Sequence, residues 1–256
     1  HTLLEKPEIV NGILITQAGT GTDQIGRFDL EIDTDYNSIQ NFTWKSIPIT
    51  AEHCPRDTAL EEILGRYKSV AEEKYARVVT RLKRQLTHPF WYQETELGGF
   101  LADILQESLR LDMMLVGSGS IRVTELGPIV LFSNLTECIP YDDAAIALWV
   151  KGAQLKKMIL YMLRDEVWDG SHCEFFQVSE GARIVYDKLS HTLKEFSLHS
   201  EPIEDGKMYK IGLQYYFYLN MKEFFSVSHE EVAQNGNPRQ VATSCREVLD
   251  EYLSCH

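Results

Sequence analysis

The part of the sequence best suited to hold a ligand is a glycine–serine loop, Gly117-Ser118-Gly119-Ser120, with Arg122 close behind it. Met113 to Val116, directly before the loop, is typical of a buried strand, because a short apolar run between turn-forming residues suits the interior of a sheet. Glycine lets the backbone turn sharply and approach another group closely. We therefore expect free hydroxyl and amide donors in this loop, and an Arg122 guanidinium suited to phosphate or carboxylate. The alternative is a tight turn followed by a surface arginine.

The composition limits the classes of partner. The chain has 256 residues and a formal net charge of -13, which argues against a general binder of nucleic acid or anionic membranes, since both require a basic face. A hydrophobic content of 44% supports a substantial core, and no apolar run is long enough to predict a membrane span. The five cysteines are scattered and odd in number, which predicts neither a disulfide framework nor a zinc site. They favour a reducing cytoplasm, and export is the alternative.

Residues 1–50 are predicted to form β structure. Strands are expected at Ile13–Gln17, Arg27–Asp33 and Ile39–Ile47, with a turn at Asp33–Asn37. Three strands are too few for an independent core, so we expect them to be the tail of a sheet whose other strands lie elsewhere. The chain opens on His1 without an initiating Met, and we expect further residues upstream.

A long helix is predicted from Asp57 to Gln85. Thr58 and Glu61 form a capping-box pattern, and apolar residues recur at helical spacing beyond them. Its many charged residues are most simply a solvent-exposed face. We place a domain boundary at Ile49–Asp57 and interpret the helix as a connector between domains.

From Glu96 onward strands and helices alternate, which predicts a mixed α/β domain. Helices are predicted at Phe100–Leu109, led into by Leu97-Gly98-Gly99, as a turn at Asn134–Cys138, at Gly152–Asp165, and from Ser244 towards the C-terminus. Strands are predicted at Met113–Val116, Ile129–Phe132, Ala145–Val150, Phe175–Val178, Arg183–Tyr186, Leu193–Leu198 and Met208–Leu213.

Seven short motifs follow one another between Gln93 and Phe225. They are Glu94–Asp103, the glycine–serine loop with Arg122, Leu126–Val130, Ile139–Tyr141, Val150–Lys156, Phe175–Asp187 and Asp205–Ile211. Each motif alone is a weak signal. In this order they resemble the C-terminal, substrate-binding domain of the 5'-nucleotidase family, which includes UDP-sugar hydrolases and 2',3'-cyclic phosphodiesterases. The resemblance implies a mixed sheet with helices, preceded by a few strands of a metallophosphatase sheet and a long connecting helix.

The resemblance also implies a set of substrate-binding residues. The arginine that closes the family's glycine loop corresponds to Arg122, and the loop positions correspond to Gly117 and Gly119. The two aromatic residues that clamp a base correspond to Tyr141 and to a residue of the last long loop, with Tyr216 as first choice and Tyr218 as second. Stacking of this kind contributes about 1–3 kcal/mol per base. The alternative is an aromatic-rich strand packed in a core.

The sequence departs from the family pattern at three places. Gly117 stands where the family often has Asn, Leu219–Glu223 replaces an A-x-G-G-D motif, and Gln93 lies near the position of a further family arginine. The base and phosphate specificity of the family therefore cannot be assigned to this chain. Asp142 and Asp143 are candidates to replace the missing carboxylate as ribose acceptors, and the alternative, which we favour, is that they cap the next turn.

The resemblance finally implies a division of labour. Residues 1–50 would be the tail of a metallophosphatase domain, residues 51–90 a linker and connecting helix, and residues 91–256 the substrate-binding domain. Two divalent metal ions would belong to the upstream domain, and none is expected in this chain alone. His1 would be the last position of the metal loop, unless it is a remnant of a tag or of cleavage. The chain would then be the nucleotide-binding half of a 5'-nucleotidase-type phosphohydrolase. The alternative is a non-catalytic interaction domain that kept the fold.

Overall fold

The glycine–serine loop lies in the larger of two structural units. The computed structural model describes residues 3–19, 21–168 and 173–255. The chain divides into a unit of residues 1–70 and a unit of residues 71–256. Helices and strands are both abundant, so the predicted mixed α/β class is confirmed. No helix in the described ranges is long and apolar enough to cross a membrane.

The first unit contains two β-hairpins and most of helix α1. Strands β1 (Glu8–Val10) and β2 (Ile13–Ile15) form one hairpin, and β3 (Gln24–Asp33) and β4 (Ser38–Pro48) form the other. The three predicted strands correspond to β2, β3 and β4 and are confirmed. The sequence analysis missed β1, although Asn-Gly is a strong hairpin signal. The dipeptide at residues 11 and 12 has φ angles of 50° and 79°, as such a two-residue turn requires.

Helix α1 spans Thr58–Tyr75 and is shorter than predicted. The prediction that it continues to Gln85 is wrong, because Val78–Arg81 forms strand β5. The first three residues of β5 are β-branched and favour extended backbone. Pairing with β9 (Ile129–Leu131) then buries Val79. A long-range strand pair therefore decides the structure of this segment against its helical spacing.

The other elements of the second unit alternate much as the sequence predicts. The remaining strands are β6 (Leu86–Thr87), β7 (Met113–Gly117), β8 (Glu125–Leu126), β10 (Ala145–Lys151), β11 (Phe176–Val178), β12 (Ala182–Asp187), β13 (Thr192–Leu198), β14 (Glu201–Pro202), β15 (Met208–Gln214) and β16 (Arg239–Ala242). The helices are α2 (Glu96–Ser108), α3 (Phe132–Cys138), α4 (Gly152–Met162), α5 (Tyr215–Leu219), α6 (Met221–Phe225), α7 (His229–Ala233) and α8 (Cys245–Cys255). Every helix and strand predicted after Glu96 is confirmed to within a few residues, whereas β16 and α5 to α7 were not predicted.

Five strands form the central sheet, in the order β11-β7-β15-β10-β16. Strand β15 runs parallel to β7, and the other neighbouring pairs are antiparallel. Met113 and Leu115 of β7 lie in one core, which α4 and α6 help to form. Met114 and Val116 lie in a second core with α2, α3 and α8. Because the sheet is covered on both faces, β7 is continuously apolar, as predicted.

Candidate ligand site at one edge of the sheet

Strand direction brings the predicted site residues to one edge of the central sheet. Strands β7 and β15 are parallel, so the glycine–serine loop after β7 and helix α5 after β15 leave the sheet at the same edge. Strand β10 begins there, because it is antiparallel to β15 and Ala145 pairs with Gln214. Tyr141 and Asp142 shortly precede Ala145 and therefore belong to this edge too. Crevices at the carboxyl ends of strands are common ligand sites.

Gln214, at the end of β15, holds the start of the glycine–serine loop. Its side-chain oxygen accepts hydrogen bonds from the Gly117 N–H at 2.9 Å and from the Ser120 hydroxyl at 3.3 Å. Ser118–Ser120 form a single turn of 3-10 helix. The Ser118 N–H donates to the carbonyl oxygen of Phe175 at 2.8 Å. The loop is therefore fixed through both its backbone and its side chains.

Gln177, a buried residue of β11, ties this loop to the start of helix α2. Its amide nitrogen donates to the Ser118 hydroxyl oxygen at 2.9 Å and to the Gln93 carbonyl at 2.8 Å. Its amide oxygen accepts from the Thr95 N–H at 3.0 Å. A buried amide with all of these partners orders the groups around it.

His88 completes the polar network beneath the loop. It is only 5% exposed, and its Nε2 lies 3.2 Å from the Ser118 carbonyl oxygen, so this nitrogen carries the proton. Its Nδ1 lies 2.7 Å from the Thr95 hydroxyl oxygen, which also accepts from the Gly98 N–H at the start of α2. Burial lowers the pKa of His88 from its usual 6.5, and the bond to the Ser118 carbonyl opposes this shift. Burial therefore favours the neutral form of the ring.

The hydroxyl groups of the loop are not free, and the expectation that they would be is wrong. Ser118 and Ser120 are buried. The Ser118 hydroxyl contacts Gln177 and His88, and the Ser120 hydroxyl contacts Gln214. Polar side chains from three separate segments reach the loop from within the protein, which the local sequence does not indicate.

Glu174 packs against the backbone of the loop. The Gly119 N–H donates to its carboxylate at 2.6 Å. A Cβ at Gly119 would lie 2.9 Å from a Glu174 oxygen, and a Cβ at Gly117 would lie 2.2 Å from the ring of Phe217. Gly117 leaves room for the Phe217 ring, whereas a side chain at position 119 would displace the flexible end of Glu174. Burial raises the pKa of the Glu174 carboxyl, while the bond from Gly119 and the positive charge of Arg122 oppose this shift.

A cavity of about 420 Å³ opens beside the loop. Arg122, Glu174, His88 and Trp91 line it together with Gly119. The Arg122 side chain is exposed, and its backbone N–H is fixed by a hydrogen bond to the Cys138 carbonyl at 2.9 Å. The cavity thus presents a guanidinium, a carboxylate and an indole ring to a ligand.

Tyr141 and Tyr216 lie at the same edge and are the more exposed of the predicted aromatic residues. Their exposed fractions are 55% and 54%. Asp143 connects the two segments, because its carboxylate accepts the Tyr216 N–H. Burial raises the pKa of Asp143, and the nearby charge of Asp142 adds to this shift. Neither tyrosine is among the described residues that line the cavity of Arg122, so the edge has two separate parts.

Tyr218 is less exposed than Tyr216, whose ring contacts Phe217 and Phe224 from the surface. It is half-buried beside the first core. Its ring meets the ring of His229 edge to face at a centroid distance of 4.8 Å. The Tyr218 carbonyl also lies 2.8 Å from His229 Nε2. The segment forms helix α5 and not a core strand, which was the alternative drawn from the sequence.

Asp142 contacts the start of the last helix, a long-range contact that neither alternative drawn from the sequence predicted. It accepts hydrogen bonds from the Ser244 hydroxyl and from Arg246 at 2.8 Å. The Ser244 oxygen accepts in turn from the Glu247 N–H at 2.9 Å, at the start of α8. Asp142 therefore ties the segment of Tyr141 to the last helix, and a role in binding ribose stays a prediction.

Four important residues of this edge, Gln177, Gln214, His88 and Glu174, were not among the predicted site residues. A glutamine inside the apolar run Phe175–Val178 is a signal of a buried polar contact, since such residues need partners. Gln214, at the end of β15, gives a similar signal. No comparable pattern marks His88 or Glu174, because their partners are distant in the sequence.

The described residues contain no group of three or more His, Cys, Asp or Glu side chains that could hold a metal ion. The described donor set therefore does not fit the dinuclear metal site of a metallophosphatase. His1, the predicted metal ligand, lies outside the described residues.

Residues 75–228 match the family model of the 5'-nucleotidase C-terminal domain. The chain belongs to this family. Among curated proteins it is 26% identical over 229 residues to an uncharacterized metallophosphoesterase, YunD, from Bacillus subtilis. That alignment covers 83% of this chain and 48% of YunD.

Solved structures of related proteins share the fold. A 5'-nucleotidase precursor from Thermus thermophilus superposes with a TM-score of 0.67 and 18% identity, covering 97% of this chain and 51% of that chain. A putative 5'-nucleotidase from Staphylococcus aureus gives a TM-score of 0.72 and 13% identity, covering 98% of this chain and 51% of that chain. This chain therefore spans about half the length of these relatives.

Proposed function

We propose that this chain is the nucleoside-binding half of a metal-dependent phosphohydrolase of the 5'-nucleotidase type. The observation that supports it best is the common edge of the sheet. There Arg122, on a loop held by buried side chains, lies on the same side as two exposed tyrosines that come from distant parts of the chain. Arg122 would bind an anionic or polar group of the substrate, and Tyr141 and Tyr216 would stack on the base.

The bond-breaking chemistry would belong to an upstream metallophosphatase domain in a longer protein. A bound pair of divalent metal ions would stabilise the attacking and leaving oxygens of the displacement at phosphorus. The residues of this chain would hold the nucleoside, and binding energy from this non-reacting part would position the phosphate.

Exposed apolar side chains in the first unit support the presence of such a domain. Ile9, Ile13 and Ile32, in its hairpins, are 62%, 66% and 57% exposed. Apolar strand residues of this kind normally pack against another layer. We propose that residues 1–50 complete the metallophosphatase fold, that residues 51–90 connect it, and that residues 91–256 form the binding domain.

The nucleotide is proposed to be a small molecule and not a nucleic acid polymer, because the net charge of -13 opposes binding to a polyanion. Calorimetric titration of the chain with a panel of nucleosides and nucleoside monophosphates tests the proposal. Arg122→Ala and Tyr141→Ala should each weaken binding about tenfold, because each removes a direct contact worth about 1–2 kcal/mol.

Arg183→Ala is a suitable control for that titration, since Arg183 is exposed in β12 and pairs with Glu195. It should leave the affinity unchanged. The absence of binding to every nucleoside and nucleotide would remove the proposal. It would favour the second candidate, a non-catalytic interaction domain.

That second candidate is supported by the changed pocket. The ring of Phe217 fills the space that a side chain at position 117 would need, and Lys222 stands within the segment that replaces the family's A-x-G-G-D motif. Phosphate release from nucleotides by the full-length protein, with and without divalent metal, separates the two candidates. Metal-dependent release supports the enzyme, and no release with any nucleotide supports the interaction domain.

A further inference from the structure

The Glu174 carboxylate occupies a position that the proposed function does not explain. It is half-buried beside the glycine–serine loop, and the Gly119 N–H donates to its Oε1 at 2.6 Å. Its Oε2 lies 2.9 Å from the position that a Cβ would take at Gly119. Both oxygens are therefore held against the loop backbone, where an anionic group of a ligand would otherwise receive the N–H hydrogen bond.

The charges that line the cavity beside the loop are balanced. The positive charge of Arg122 acts on Glu174, and both residues line the cavity. His88 lines it as well, but its Nε2–H is bonded to the Ser118 carbonyl and burial lowers the pKa of its ring. An incoming phosphate therefore meets the attraction of one cation and the repulsion of one carboxylate at close range.

A hydroxyl group meets a different environment in the same cavity. A carboxylate accepts hydrogen bonds from hydroxyl donors, and bonds to a charged acceptor are stronger than bonds between neutral groups. Gly117, the first residue of the loop, has no polar side chain, and the ring of Phe217 fills the space beside it. Glu174 therefore places a carboxylate acceptor beside the loop, in the wall of the cavity.

We propose that Glu174 sets the ligand preference of the glycine–serine loop. Its carboxylate fills the anion-binding position beside Arg122, so the loop binds the uncharged, hydroxyl-bearing part of a nucleoside and not its phosphate. This inference rests on the proposed function, because it takes a nucleoside as the ligand. It extends the proposed function by identifying the part of the nucleoside that the loop contacts.

Glu174→Gln tests this inference directly. The glutamine oxygen can still accept the Gly119 N–H, so the substitution removes the charge and keeps the shape. The chain and its variant are titrated at neutral pH with three probes, namely adenosine, AMP and inorganic phosphate. We expect the variant to bind phosphate and AMP about tenfold more tightly, because a like charge is removed at close range. We expect its affinity for adenosine to fall, because a neutral amide oxygen accepts a hydroxyl bond more weakly than a carboxylate.

Glu201→Gln is the matched control, because it removes the same charge from an exposed residue of β14 in another sheet. It should not change the affinity for any probe. Thermal unfolding of all three proteins confirms that each is folded. A Glu174→Gln variant that binds phosphate and AMP no more tightly than the parent chain would overturn the inference.

The three probes separate this inference from the proposed function. If adenosine and AMP bind neither protein but the variant binds phosphate more tightly, the nucleoside-binding function fails. The role of Glu174 in excluding anions then stands. If adenosine and AMP bind both proteins equally well and phosphate is unaffected, the proposed function stands and the role of Glu174 fails.

Discussion

The donors of the glycine–serine loop are bound to the protein itself, whereas the rings of Tyr141 and Tyr216 are each more than half exposed. Both regions lie at the same edge of the sheet. The loop is held by buried side chains from β11, β15 and the segment before α2. Tyr141 lies in the connection before β10, and Tyr216 lies in the short helix α5. The loop therefore provides a fixed geometry for a ligand, and the tyrosines provide contact area for it. Substitutions in the first region should therefore reduce stability, and substitutions in the second should reduce binding.

Replacement of Gln177 by leucine should give the largest effect. Leucine cannot bond to the Thr95 N–H, the Gln93 carbonyl or the Ser118 hydroxyl. The free energy of unfolding, measured with urea, should fall by about 3 kcal/mol because buried polar groups lose their partners. Gln240→Leu, on exposed residue 240 of β16, should change it by less than about 0.5 kcal/mol. Equal effects for the two variants would contradict the structural role of the network.

Replacement of Tyr216 by alanine should reduce ligand binding more than it reduces stability. The affinity for a bound nucleoside should fall about tenfold, since a stacking contact is worth about 1–3 kcal/mol. The free energy of unfolding should fall by less than it would for a buried tyrosine, because residue 216 is 54% exposed and its ring keeps only edge contacts to Phe217 and Phe224. Tyr36→Ala, at a residue that is 83% exposed in the first unit, is the control for the loss of a surface tyrosine. A Tyr216→Ala chain that binds as the parent does would leave the base contact without support.

Tyr218→Ala tests the same contrast between stability and binding within helix α5. Tyr218 packs against His229 and the first core, so its removal should lower the unfolding temperature more than that of Tyr216. Nucleoside titration and thermal unfolding of the two alanine variants would separate the roles. If Tyr218→Ala weakens binding and Tyr216→Ala does not, Tyr218 and not Tyr216 is the residue that stacks on the base.

Titration of His88 should give the smallest effect on the free energy of unfolding. The structure determines whether that free energy rises or falls with pH. Burial lowers the pKa of the folded-state ring below 6.5, so the folded chain keeps it neutral where the unfolded chain binds a proton. The stability that the neutral ring contributes is present above pH 6.5 and is lost as the pH falls through the lower folded-state pKa. Urea unfolding of the parent chain and of His88→Gln over this range should show a smaller pH dependence in the variant. Identical pH profiles would argue against a neutral, buried His88.

The sequence predicted the elements of the second unit well where pattern and long-range structure agree. The apolar run before Gly117 and the capping pattern at Ser244 and Glu247 both correspond to elements of the structure. The prediction failed from Val78 onward, because helical spacing continues there while β5 pairs with a strand about fifty residues away in sequence. Spacing within a segment cannot report such a partner.

The sequence by itself determined the family, the mixed α/β class and the glycines of the loop, because these depend on local spacing and on the order of short motifs. Only the tertiary structure decided which groups surround that loop. Glu174 and Gln177 reach it from one segment, Gln214 from a second and His88 from a third. The parallel pairing of β7 with β15 and its antiparallel pairing with β11 place the end of β15 and the start of β11 at this edge. A sequence shows that a loop has donors, and only the fold shows which of them are already bonded to the protein.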